Sequence, residues 1–118
     1  MQSDEVLNLA MHALEDLKAR DIKMLDVGQA TDITDYMIIA SGTSDRHVKS
    51  IADHLVDSAK QAGHPPFGVE GGDGGQWVLV DLEDVVVHIM QPSVREFYKL
   101  ENLWDLGGGE SGAEASGA

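Results

Sequence analysis

Apolar residues recur at helical spacing in two long stretches of this chain, and elsewhere they come in short bursts. Val6, Leu7, Ala10, Met11, Leu14 and Leu17 form one stripe, which predicts a helix over residues 4–19. Ser3 is placed to cap it, Asp4 and Glu5 suit its positive end, and Lys18 and Arg20 lie near the other. Val48, Ile51, Ala52, Leu55, Val56 and Ala59 form the second stripe. That helix starts near Thr43 or Ser44, Gly63 ends it, and Pro65-Pro66 bars its continuation. Ile22 to Val27 and Asp35 to Ser41 read as strands joined by a polar loop, and a short strand falls on residues 67–70 before a Gly-rich loop. "QWVLVD" and "DVVVHIM" form a hairpin that turns around Leu82-Glu83. A last helix opens at "SVRE", with Ser93 and Glu96 as a capping box and Pro92 and Phe97 as a staple. It buries Val94, Phe97, Leu100, Leu103 and, at its end, Trp104.

The resulting order, αββαβββα, predicts an α/β (α+β) domain: a mixed five-stranded sheet with helices packed on it. "DLGGGESGAEASGA", from Asp105, has nothing to bury and reads as a disordered tail. The ordered domain therefore occupies residues 1–106 and the low-complexity tail 107–118.

The hairpin separates two kinds of side chain. Pairing Val80 with Val85 puts Val78 opposite Val87 and Trp77 opposite His88. One face then carries Val78, Val80, Val85, Val87 and Ile89, β-branched residues suited to lie beneath helices. The other carries Trp77, Leu79, Asp81, Asp84, Val86, His88 and Met90. Three helices cover one face of such a sheet and leave the second partly open, and apolar area rimmed by charge marks a protein-binding site. Burying an indole removes about 150–250 Å² from water, roughly 4–6 kcal/mol gross. Trp77 is thus either an interface anchor or ordinary core beneath the terminal helix.

Composition narrows the partners. The chain has 118 residues with 21 acidic and 8 basic side chains, and 18 acids against the same 8 bases remain without the last fourteen residues. Such a surface repels bare nucleic acid, whose binding rests on Lys and Arg at phosphates, and suits a basic protein; solubility alone is the simpler account. Cysteine is absent, which excludes disulfides and thiolate metal sites. No apolar run reaches the roughly 20 residues of a membrane span, and the acidic N-terminus is unlike basic targeting leaders, so the expected location is the cytoplasm.

Catalytic patterns are weak. "SGTS" before a helix has the outline of an anion-binding turn, but it lacks the Lys and length of a P-loop. Nucleotidyltransferases place Gly-Ser at such a turn and Asp-x-Asp on the following strand to hold Mg²⁺; here Gly42-Thr43 is followed by no such pair. Asp81, Glu83 and Asp84 fall in a turn, and His47 and His54 lie too far apart on their helix to chelate one ion. No catalytic residue, metal site or cofactor is expected.

Four blocks, "DITDYMIIASGTSDRHVKSIADHL", "VEG", "GQWVLVDLEDVVVHIM" and "REFYKLENLW", resemble the Iojap family, the ribosomal silencing factors of bacteria and organelles, from about Ser3 to Leu106. The resemblance implies a degenerate nucleotidyltransferase fold without catalysis. It implies binding to the large ribosomal subunit through its ribosomal protein fourteen, a small basic barrel, so that joining of the small subunit is blocked and translation falls. It also implies a link to large-subunit biogenesis and a tendency to homodimers. An atypical nucleotide-binding enzyme is the alternative. Joining the resemblance to the hairpin, Trp77 is the expected anchor, with Leu79, His88 and Met90 around it. Glu70, Asp73 and Asp81 would answer basic groups on the partner, and Arg95 and Tyr98 complete the rim.

Overall fold

The computed structural model describes residues 2–71 and 74–98, with the side chains of the last two, Phe97 and Tyr98, excepted. Its elements are α1 (Ser3–Asp16), β1 (Arg20–Asp26), β2 (Tyr36–Ser41), α2 (Asp45–Gln61), β3 (Gly68–Gly71), β4 (Trp77–Asp81), β5 (Val85–Met90) and α3 (Pro92–Tyr98). The predicted order holds, and the five strands form one mixed sheet in the order β1-β2-β5-β4-β3. β2 and β5 pair in parallel at its centre; the other neighbours are antiparallel.

Period-two alternation along these strands gives the sheet two unlike faces. On one, Ile38, Ala40, Val78, Val80, Val87 and Ile89 meet Val6, Ala10 and Leu14 of α1 and Val48, Ile51 and Leu55 of α2 in the main core. On the other, Leu25, Val27, Met37, Ile39 and Met90 form a smaller cluster, against which Trp77 and Val94 pack. The third helix therefore starts over the second face, not beside the other two.

Three local expectations need correction. The hairpin pairs Val80 with Val87, Val78 with Ile89 and Trp77 with Met90, a slide of two residues from the pairing expected. The turn is Glu83-Asp84: Glu83 takes φ 73, and the Leu82 amide donates to the Val85 carbonyl at 2.9 Å. Leu82 is consequently core, not turn. A two-residue slide keeps every side chain on its face, so the facial assignment survives. Helix α1 begins at Ser3 and stops at Asp16: the Gln2 amide donates to Glu5 at 2.9 Å, and the Ser3 hydroxyl donates to Asp35 at 2.6 Å instead of capping. Lys18 and Asp21, at φ 59 and 49, reverse the chain into β1, so Arg20 belongs to a strand. At α3 the helix opens on Pro92, and Gln91 offers its carbonyl to the amides of Val94 and Arg95 at 3.0 Å. The cap thus falls at Gln91, two residues before the expected Ser93, and Ser93 lies inside the first turn. The expected burial of Leu100, Leu103 and Trp104, like the side chain of Phe97 and the tail, lies outside the described residues.

Helix α2 starts as expected. Ser44 is its cap, accepting from the His47 amide at 3.1 Å. Ser44→Ala should lower stability by about 1 kcal/mol, read as a shift in the urea midpoint with an unchanged slope.

Candidate protein-binding face

The second face is ordered in rows that cross the strands. One row runs Lys23, Ile39, His88, Leu79, Glu70; its neighbour runs Leu25, Met37, Val86, Asp81, Gly68. The first row reaches charge at both edges, Lys23 and Glu70, whereas the second is apolar from Leu25 to Val86 and carries its one charge at Asp81. Trp77 stands in the third row beside Met90 and Ser41.

Trp77 is half-buried. Its ring packs on the small cluster with Met90 and Val94. Its remaining surface opens, with Glu70, Gly71 and Leu79, onto a shallow depression of about 320 Å³. Gly71 is required there: it sits at φ 81, and a Cβ would run into the Trp77 carbonyl.

His88 fixes the indole. The Trp77 Nε1–H donates to His88 Nδ1 at 3.0 Å, with ring centroids 5.8 Å apart and planes tilted by 47°. His88, expected beside the Trp77 anchor, is 7% exposed, between Ile39 and Leu79 in the sheet. Desolvation lowers its pKa to about 4, so near neutrality the ring is uncharged, with its proton on Nε2 and Nδ1 free to accept. Met90, expected beside the Trp77 anchor, is fully buried. What covers them lies on the face itself: Trp77 packs over both, and Val94 of α3 joins it beside Met90.

The remaining predicted residues divide. Glu70 is exposed on β3 and Asp81 half-buried at the end of β4, where its carboxylate also accepts from the Glu83 amide at 2.8 Å. Both lie on the Trp77 face by register. Arg95 is not at a free rim: its guanidinium donates to the Asp21 carbonyl at 2.6 Å and to the Ser41 hydroxyl at 3.0 Å, stapling the first turn of α3 to the far end of the sheet. Tyr98 closes α3, but its side chain lies outside the described residues, as does Asp73. Sequence reasoning passed over Gly71 and the acceptor role of His88; alternation put His88 on the right face but could not give its depth.

Protonation of His88 would replace the acceptor at Nδ1 by a donor facing the indole N–H. In the unfolded chain the imidazole titrates near 6.5, and in the fold near 4. Between these values the unfolded state takes the proton and the folded state does not. Stability is therefore full above pH 6.5, falls as the pH drops toward 4, and levels off below, by up to about 3 kcal/mol. His88→Gln should remove this component, seen as the difference between the two urea-unfolding profiles against pH.

The "SGTS" turn is satisfied internally. The Thr43 amide donates to His47 Nδ1 at 2.9 Å, and His47 Nε2–H donates to the Leu17 carbonyl at 2.7 Å. One imidazole thus closes the turn and ties it to the end of α1. Among the described residues no group of three or more His, Cys, Asp or Glu could hold a metal ion, and no helix is long and apolar enough to cross a membrane.

Fold and face together define a class: an α+β sheet protein with helices α1 and α2 on one side and, among the described residues, a partly covered apolar face on the other. The family model described as "Ribosomal silencing factor during starvation" matches residues 1–116. The chain is 45% identical to the Ribosomal silencing factor RsfS of Chromobacterium violaceum over 118 residues, covering all of this chain and 94% of that protein. It is 37% identical to the mouse protein named "Mitochondrial assembly of ribosomal large subunit protein 1", over 85% of this chain and 45% of that one. A crystal structure of a Chromobacterium violaceum protein matches with a TM-score of 0.87 at 43% identity, over 98% of this chain and 95% of that one. The chain belongs to the ribosomal silencing factor family, the family its Iojap-like blocks resemble.

Proposed function

We propose that this protein silences ribosomes by binding the large subunit through the Trp77 face, with ribosomal protein fourteen as its partner. Bound there, it blocks joining of the small subunit and lowers translation; it acts in the cytoplasm, without catalysis, and also takes part in large-subunit biogenesis. The observation that carries this reading is the Trp77 indole, held by His88 at the mouth of a depression whose rim bears Glu70. An aromatic anchor in an apolar patch, rimmed by polar groups, is the usual core of a protein interface. Glu70, Asp73 and Asp81 supply acids for Lys and Arg of a basic partner, within a chain of 21 acidic and 8 basic residues. Leu79 extends the apolar contact, His88 and Met90 support it from below, and Arg95 and Tyr98 carry α3 along its border. The mouse relative's name, which refers to large-subunit assembly, favours the same subunit. The same face would serve a homodimer, so dimer and ribosome-bound forms exclude each other.

The test is sedimentation with isolated large subunits, followed by addition of small subunits. Co-sedimentation with the large subunit and reduced formation of whole ribosomes are expected. A protein that stays in the supernatant would overturn the proposal.

A further inference from the structure

The two edges of the sheet are built differently. β1 carries Arg20, Asp21, Lys23 and Asp26, and a bulge between Arg20 and Lys23 breaks its register; both features discourage pairing with another chain. β3 carries Glu70 as its one charged residue and has β4 as its sole neighbouring strand among the described residues. Alternate residues of an antiparallel edge turn their N–H and C=O groups outward, so among the described residues those groups of β3 have no strand partner.

Two large apolar side chains stand exposed at this edge, Phe67 at 71% and Val69 at 47%. Val69 pairs with Val80, a residue of the main core, so its side chain lies on the α2 side of the sheet, away from Trp77. Between it and α2 lies an open groove of about 340 Å³, lined by Ala52, Val56 and Val78, with Lys49 and Asp53 on its wall.

We propose that the β3 edge and this groove form a second docking surface, for an extended segment of a basic partner protein. The segment pairs with β3 as an additional strand and sets an aliphatic side chain among Val56, Val69 and Val78. Its basic side chains, turned by alternation to the other face of the sheet, meet Glu70, in a chain whose formal net charge is −13.

The probe is a blocked pentapeptide, Lys-Val-Arg-Val-Lys, titrated into the full chain and followed by amide NMR. A Glu-Val-Glu-Val-Glu peptide and a peptide with proline at the centre serve as controls. Saturable shifts at Gly68–Gly71 and at Asp53 and Val56 are expected with the basic peptide alone. Val69→Lys places a charge on an exposed edge position, should fold normally, and should weaken binding by roughly tenfold. Trp77→Ala should leave it unchanged. Absence of shifts, shifts confined to the Trp77 face, or equal binding by Val69→Lys would overturn the proposal. So would concentration-dependent self-association in analytical ultracentrifugation that Val69→Lys abolishes, because the edge would then belong to a second copy.

Discussion

Trp77→Ala is expected to weaken binding to the large subunit about thirtyfold or more while leaving a folded protein. A central aromatic anchor contributes about 2 kcal/mol or more when truncated, and 1.4 kcal/mol is a factor of ten. Folding should survive because the indole is half-buried and belongs to the smaller cluster, whereas the main core lies on the other side of the sheet. Trp77→Phe separates the two contributions of the side chain. It keeps an aromatic ring but loses the donor to His88, so an intermediate loss of affinity is expected. The measurement is quantitative co-sedimentation, with circular dichroism to verify the fold. A folded Trp77→Ala protein that binds large subunits as tightly as the parent would remove Trp77 as the anchor.

Gly42→Ala is expected to destabilise the fold by about 2–3 kcal/mol, at the upper end of what overpacking does. A Cβ there would sit 2.7 Å from Val48 Cγ2, 2.9 Å from the Val48 amide nitrogen and 3.1 Å from its Cα. Neither side can yield easily. The Gly42 amide donates to the Met90 carbonyl at 3.1 Å, which fixes the end of β2 against β5, and the Val48 amide donates to the Ser44 carbonyl at 3.0 Å in the first turn of α2. A second change, Val48→Ala, relieves the side-chain clash but not the backbone one, so the double variant should recover only part of the loss. Unfolding by urea provides the test; an unchanged midpoint for Gly42→Ala would contradict the packing described.

Gly42 shows why the "SGTS" turn has the outline of a catalytic one. Its outline matches anion-binding turns because a strand that enters a helix at close range needs a small residue and a capping hydroxyl in either case. Gly42 and Ser44 are explained by that junction alone. The sequence could not show that His47, four residues along, takes the Thr43 amide, or that its other nitrogen reaches Leu17 thirty residues back.

Element order and the two helical stripes were legible because each rests on periodicity within a few turns of chain. The faces of the hairpin were legible for the same reason, and they survived the two-residue slide in register. The register itself was not, since it depends on whether Glu83 adopts a left-handed conformation and whether Leu82 can be buried against the helices. Helix ends were misread at Ser3, Lys18 and Ser93, where a nearby competing partner or a reversal of the chain outweighed local capping preference.

The sequence by itself determined the mixed α+β class, the family, the acidic character and the side of the hairpin on which Trp77 falls. These follow from alternation, residue type and recognisable blocks, all local properties. Only the tertiary structure decided depth and company: that His88 and Met90 lie buried while Trp77 is half-open, that Arg95 is a staple, and that β3 is an edge. Depth is set by what packs over each strand, and that depends on pairing and packing between segments far apart in the chain.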